Sequence, residues 1–179
     1  MEQKESSVWR KRKQQILEKT KTLSDYKNEL QKEVNTIVRL IDLGQPCIAT
    51  GATKGKRNAG HYISVGSNPT LRYNLHNIHI QSEHSNSWKS GDTIRYQEGL
   101  KKIYSQQYFD FIESLKSTPP INLSIDQIKD SIESARKIIK ELKSTESTYT
   151  PDQRIELRNK FNKRINIYHT SFLIPPPTY

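Results

Sequence analysis

Four of the five histidines, His61, His76, His79 and His84, fall within 24 residues of a 179-residue chain. Imidazole changes charge between pH 5 and 8, so such a cluster suits proton transfer or metal ligation. A lone histidine is more often structural, but four in one loop-and-strand segment of a basic chain point to a site. All seven glycines lie between Gly44 and Gly99, where the backbone must turn tightly or approach a ligand closely. His61 follows Gly60 and opens the apolar run Tyr62-Ile63, which makes it the hardest of the four to explain as a bystander. Asn77 opens Asn77-Ile78-His79-Ile80, and Asn86 follows the turn-like Ser82-Glu83-His84-Ser85. Each asparagine also has an ordinary reading, as a turn former or a helix-start residue. His79 and His84 read equally well as satisfied surface histidines. No Walker loop, GxGxxG, HExxH or GxSxG pattern is present.

The elements that must position these residues are legible from periodicity. Tyr26, Leu30, Val34, Ile37 and Ile41 recur at helical spacing, which predicts a helix with one core face, capped by Ser24 and stopped by Gly44. From Gln45 to Trp88 the helical period disappears, and short strands are predicted at His61–Val65 and Asn77–Ile80. Helix resumes near Ser85 and runs to about Leu115 with a break at Gly99; Thr118-Pro119-Pro120 ends it. Ser124 with Gln127 forms a capping box before the stripe Ile125, Ile128, Ile132, Ala135, Ile139 and Leu142. Thr150-Pro151-Asp152-Gln153 starts another helix, with Leu157, Phe161, Ile165 and Tyr168 as its apolar face. The two are expected to pair as a hairpin, and homodimerisation through these C-terminal helices is the competing use. The chain divides into a basic helical arm (1–23), a core with leading and trailing helices (24–117), the hairpin (118–170) and a Pro-rich tail (171–179).

Composition bounds the partners. Hydrophobic residues make up 32% and charged residues 27%, with a mean hydropathy of −0.85, polar but compatible with a packed core. A formal charge of +10 and a pI near 9.6 favour polyanions, DNA before anionic membrane. Lys54, Lys56, Arg57, Arg72, Lys89 and Arg95 flank the histidine segment and are the expected DNA contacts, with Arg10–Lys13 as a basic arm. Nothing resembles a base-reading helix, so binding should follow DNA shape and charge. Cys47 is the only cysteine, which excludes an internal disulfide and a cysteine-only zinc site. No run of about 18 apolar residues exists, and the N-terminus lacks the apolar core of a signal peptide. A soluble, cytoplasmic protein is expected.

Strand-His, loop, strand-Asn, turn, helix-Asn is similar to the layout of the ββα-metal (HNH, His-Me finger) nucleases. The blocks Gln45-Pro46-Cys47-Ile48, Ala59-Gly60-His61-Tyr62, Leu71-Arg72-Tyr73-Asn74, Asn77-Ile78-His79-Ile80-Gln81, and Asn86 with Lys89-Ser90-Gly91 make the likeness specific. In that order they resemble the phage lambda NinG (Rap) recombination endonuclease family, over about Tyr26 to Leu115. The segment Arg39-Leu40-Ile41-Asp42-Leu43-Gly44 also resembles that family's lead-in. The resemblance implies an α+β fold, a small ββα-metal core flanked by long helices. It implies a phage- or prophage-type endonuclease in the bacterial host, cutting branched DNA such as Holliday junctions and D-loops with Mg²⁺ or Mn²⁺. His61 would be the general base, Asn77 would orient its imidazole through the side-chain amide, and Asn86 with His61 would hold the cation. His79 is a further metal candidate, as are Glu83, His84 and Asp92, because Gly60 stands where many nucleases outside this family carry an aspartate ligand. The family also places two cysteine pairs around a structural zinc. Here Cys47 is left with Thr50, Ser82 and Ser85 at the other three positions. Hydroxyls are poor zinc ligands at neutral pH, so no structural zinc is expected. The alternative function is a catalytically inactive, DNA-binding recombination accessory protein.

Overall fold

A computed structural model of the chain describes residues 9–10, 12–13, 20–83, 85, 92–145, 147–168 and 172–173. The first long helix, α1 (Leu23–Ile41), begins at Thr22 rather than at the expected Ser24. Thr22 Oγ1 accepts the Asp25 N–H while the Asp25 carboxylate accepts the Thr22 N–H, a reciprocal box that Ser24 has no partner to make. Tyr26, Leu30, Val34, Ile37, Val38 and Ile41 form its buried face, as the spacing predicts. Gly44 follows at φ +75°, the left-handed region that favours glycine.

Strands β1 (Arg57–His61) and β2 (Ile78–Ser82) pair antiparallel, from Arg57↔Ser82 to His61↔Ile78. His61 therefore closes the first strand instead of opening it. Past His61, the Tyr62 N–H donates to the Asn77 carbonyl, and both backbone groups of Ile63 bond the Asn77 side chain. Those bonds use the groups that a longer strand would have paired. Two 3₁₀ turns, Pro69–Tyr73 and Leu75–Asn77, lead into β2. A two-stranded ribbon is marginal alone, and α1 packs against it.

The next helical segment is split differently from expectation. Helix α2 (Thr93–Ile103) runs through Gly99, and the break comes at Tyr104–Ser105, where the Ser105 hydroxyl caps α3 (Gln106–Ser114). Gly99 is there for packing: a Cβ would lie 1.8 Å from the Ile48 carbonyl oxygen. Helices α4 (Ile125–Thr145) and α5 (Pro151–Ile165) start at the predicted boxes, Ser124 with Gln127 and Thr150 with Gln153. Ile128, Ile132, Ala135, Ile139 and Leu142 are buried, while Ile125 is exposed. Because α4 lies along α1 and also against α5, that stripe is used within the chain. One hydrophobic core takes residues from α1, the ribbon and all four later helices. The result is a mostly helical protein with a small antiparallel ribbon. Among the described residues no helix is long and apolar enough to cross a membrane. His84, Asn86, Lys89, most of the basic arm and most of the Pro-rich tail lie outside the described residues, as does the helix expected to begin near Ser85.

Candidate functional site

His61 sits half-buried at the end of β1. Its Nε2–H donates to the Arg72 carbonyl at 2.8 Å, which leaves the lone pair of the neutral ring on Nδ1. Burial holds its pKa below the ordinary histidine value, and the Arg72 charge pushes it the same way, against the carbonyl bond, which raises it. The ring is therefore neutral at neutral pH, the form a general base needs.

Asn77 acts on His61 through the backbone, not through a bond to the ring. Its Oδ1 accepts the Ile63 N–H at 2.8 Å, and its Nδ2 donates to the carbonyls of Ile63 (2.9 Å) and Leu71 (3.3 Å). Asn77 is fully buried at the end of a 3₁₀ turn, so its amide must find partners among the nearest backbone groups. Leu71 precedes Arg72, whose carbonyl holds the imidazole; Asn77 fixes the turn and the turn fixes the ring. The Arg72 guanidinium meets only neutral amides here, Gln31 Oε1 at 3.2 Å and Asn28 Oδ1 at 2.9 Å, both on α1.

The register removes His79 from this site. It pairs with Gly60, while His61 pairs with Ile78, so alternation sends the two imidazoles to opposite faces of the ribbon. His79 is buried, neither a surface residue nor a ligand available beside His61. Its nitrogens lie 3.1 Å from Tyr96 Oη and 3.4 Å from Tyr108 Oη. Tyr96 donates its proton to the Gly60 carbonyl at 2.9 Å, so His79 Nδ1–H must donate to Tyr96. His76, also buried, donates from Nε2 to the Asn159 amide oxygen at 2.9 Å and accepts at Nδ1 from the Tyr108 hydroxyl at 3.1 Å. A ring that donates from Nε2 and accepts at Nδ1 is neutral, and the path from His79 through Tyr96 ends on the residue before His61. Burial and the nearby Arg158 charge lower the His76 pKa to about 3, and burial with Arg158 and Arg154 puts His79 well below the ordinary value.

The expected DNA contacts differ in how they are partnered. Lys56 pairs with Glu83 at 2.6 Å and Arg95 lies 3.5 Å from Asp92, which occupies two metal candidates as well. Arg57 donates only to the backbone carbonyls of Lys54 and Ala52. Among the described residues no group of three or more His, Cys, Asp or Glu is placed to hold a metal ion. His61 is the described donor; Asn86, the other expected ligand, lies outside them. At the other end of the ribbon, Cys47 Sγ accepts the Ser82 N–H at 3.2 Å and lies 3.6 Å from Ser82 Oγ, which accepts the Ser85 N–H. Burial raises the Cys47 pKa, but hydrogen bonds to Thr50 and Ser82 outweigh it and bring the thiol to about 7. One thiol among three hydroxyl residues does not fit zinc.

Sequence reasoning missed the largest buried charge. Arg158 of α5, 0% exposed, donates from one terminal nitrogen to both Asp42 carboxylate oxygens at 2.9 Å and from Nε to the Leu75 carbonyl at 3.0 Å. Arg154 lies 3.6 Å from the same carboxylate. The signal was present: Arg154, Arg158, Phe161 and Ile165 share one helix face, which puts two arginines on the side that carries the apolar residues.

The chain is 38% identical over 87 residues to "Protein ninG" of Escherichia phage lambda, covering 48% of this chain and 43% of the phage protein. The proteins of the same name from Enterobacteria phage H19B and Salmonella phage P22 are 37% and 36% identical over equal lengths. The chain thus matches less than half the length of these curated relatives. No solved structure matches. The family described as Bacteriophage Lambda NinG protein matches residues 1–146, most of the chain, and the chain belongs to that family.

Proposed function

We propose that this protein is a metal-dependent endonuclease of phage recombination, cutting branched DNA such as Holliday junctions and displacement loops. The observation that carries this reading is His61: a neutral imidazole, anchored through Nε2–H to the Arg72 carbonyl, with its lone pair on Nδ1. In this reading Nδ1 takes the proton from the attacking water, and Asn77 keeps the ring from turning by holding the Leu71–Arg72 turn. The Arg72 guanidinium is a cation close to that water and stabilises the phosphate as charge builds on it. Asn86 would hold a divalent cation, which when bound supplies charge stabilisation to the phosphate and the leaving 3′ oxygen.

The test compares the wild-type protein with His61→Ala on branched and linear DNA, in Mg²⁺, Mn²⁺ or EDTA. Metal-dependent cutting that falls by about 10²–10⁴ in His61→Ala, with DNA binding retained, supports the enzyme. Equal binding with no cutting by either protein would instead identify a DNA-binding accessory protein. The pH dependence gives a second readout. Activity needs the neutral ring, so the acid limb of kcat/KM is expected below the ordinary histidine pKa of about 6.5. Arg72→Gln removes a charge that lowers the His61 pKa, and should move that limb to higher pH.

The thiol–hydroxyl cluster leads to a separate expectation about metal. The purified protein should carry no stoichiometric zinc, and its thermal unfolding in EDTA should match that in buffer. Structural zinc contributes about 10–16 kcal/mol in finger peptides, so a chelator-induced loss of folding would be unmistakable and would refute this reading.

A further inference from the structure

Asn28, Gln31, Asn35 and Arg39 recur at three- and four-residue spacing and form one stripe along α1, beside its buried face. Asn28 and Gln31 hold the Arg72 guanidinium, Gln31 also donates to Asn35 at 2.8 Å, and Arg39 closes the stripe. The acidic residues of α1 are committed elsewhere. Asp25 is in the N-terminal cap, Glu29 pairs with Lys21 and Arg136, and Glu33 pairs with Arg136. The stripe is therefore polar and cationic, with no carboxylate of its own.

At its C-terminal end the stripe meets a groove of about 310 Å³ lined by Arg39, Gln45, Thr53 and Arg57, with Asp42 and Ile80 among the other lining residues. Asp42 is 2% exposed and already bonded to Arg158 and the Ile80 N–H. Both lining arginines donate only to neutral acceptors: Arg39 to Thr36 Oγ1, Arg57 to backbone carbonyls. Arg57 and His61 lie on the same face of β1, four residues apart, which is about 13 Å. Gln31 and Arg39 are eight helical residues apart, about 12 Å. The two estimates agree, so the arginine groove lies about 12–13 Å along α1 from the Arg72–His61 corner.

We propose that the α1 stripe and its terminal groove form a track for the phosphodiester backbone of DNA, running from Arg72 to Arg39 and Arg57. The track extends the DNA-cutting reading above and depends on it, but it assigns Arg39, the α1 amides and the groove, which play no part in the chemistry at His61. It takes phosphates in line, without reading bases.

The experiment is equilibrium binding of the full chain to a labelled DNA duplex in EDTA, where nothing is cut, across a salt series. Arg39→Ala/Arg57→Ala is expected to make the log–log salt slope shallower by about 1.8, the release of two phosphate contacts. Arg39→Glu, an exposed change that leaves the core alone, should weaken binding further than Arg39→Ala. Lys137→Ala/Lys140→Ala removes two charges from exposed positions on α4 and should leave the slope unchanged. Equal losses in the two double variants would reduce the effect to net charge and overturn the track. A wild-type slope in Arg39→Ala/Arg57→Ala would overturn the track while leaving DNA binding intact. No DNA binding by the wild-type protein would overturn both readings. Displacement of DNA by inorganic phosphate at matched ionic strength, lost with the same two arginines, would make the groove a small-anion site and overturn the polymer track.

Discussion

Acidification from pH 6.5 to 5 is expected to destabilise the fold through His76 and His79, with roughly 2 kcal/mol lost through His76 alone. Both are buried and neutral, with folded-state pKa values below the unfolded value of about 6.5: about 3 for His76, and well below ordinary for His79. Between those limits the unfolded chain binds protons that the folded chain refuses. Stability is therefore complete well above pH 6.5 and falls as the pH drops below it, approaching about 1.4 kcal/mol per unit for His76 and falling in the same direction for His79. The buried Asp42 carboxylate in the same cluster is already committed to Arg154 and Arg158. Arg154 and Arg158 lie close enough to repel a protonated ring, Tyr96, Tyr104 and Tyr108 are held neutral by burial, and Asn159 is an amide. The carboxylates with depressed pKa, Asp25, Glu113 and Glu141, act at lower pH, so the window belongs to the histidines. Urea unfolding at several pH values between 7.5 and 5 measures the slope. His76→Gln and His79→Gln should each flatten it by about one proton, whatever they cost in absolute stability. A wild-type stability independent of pH across this window would sink the argument. Because the buried chain ends on the Gly60 carbonyl, acid is also expected to loosen the His61 end of β1 before global unfolding.

What could be read from the sequence follows the range of the interactions. The boxes at Ser124 and Thr150 and the core face of α1 are local, made by residues three or four apart, and periodicity finds them. His61 and Asn77 meet through Ile63, Leu71 and Arg72, with no hydrogen bond between the two side chains. Apart from the Ser24 cap, displaced by the local Thr22–Asp25 box, the misreadings depend on partners distant in sequence. The end of β1 at His61 is set by an amide 16 residues on, and position 99 needs a glycine because the Ile48 backbone leaves no room for a Cβ. A strand's two faces are separated by one residue, so placing His79 beside His61 needed the register, which the sequence does not reveal. Arg154 and Arg158 share the buried face of α5, but their partner Asp42 lies more than 100 residues away.

Breaking that last contact is expected to be the most damaging single change in the protein. Arg158→Met leaves Asp42 2% exposed with Arg154 at 3.6 Å as its remaining cation, and Asp42→Asn leaves two guanidiniums buried without a counter-charge. Each should cost about 4 kcal/mol, a large share of a typical folding free energy of 5–15 kcal/mol. The double variant Asp42→Leu/Arg158→Met should be less damaging than the two single losses added, because it removes both charges together. It should still fall short of wild type, since the Leu75 and Ile78 carbonyls lose their donor. Chemical denaturation of the four proteins gives the coupling energy directly; strict additivity would show that the pair is not a unit. The consequence reaches the candidate site. Asp42 accepts the Ile80 N–H and Arg158 donates to the Ile78 carbonyl, so the pair anchors the strand whose register places Ile78 opposite His61. Residues 147–179 lie beyond the family match, yet α5 supplies Arg158 from within that stretch. Ending the chain at 146 should therefore behave like Arg158→Met with further losses, unfolding the ribbon even though every matched residue remains.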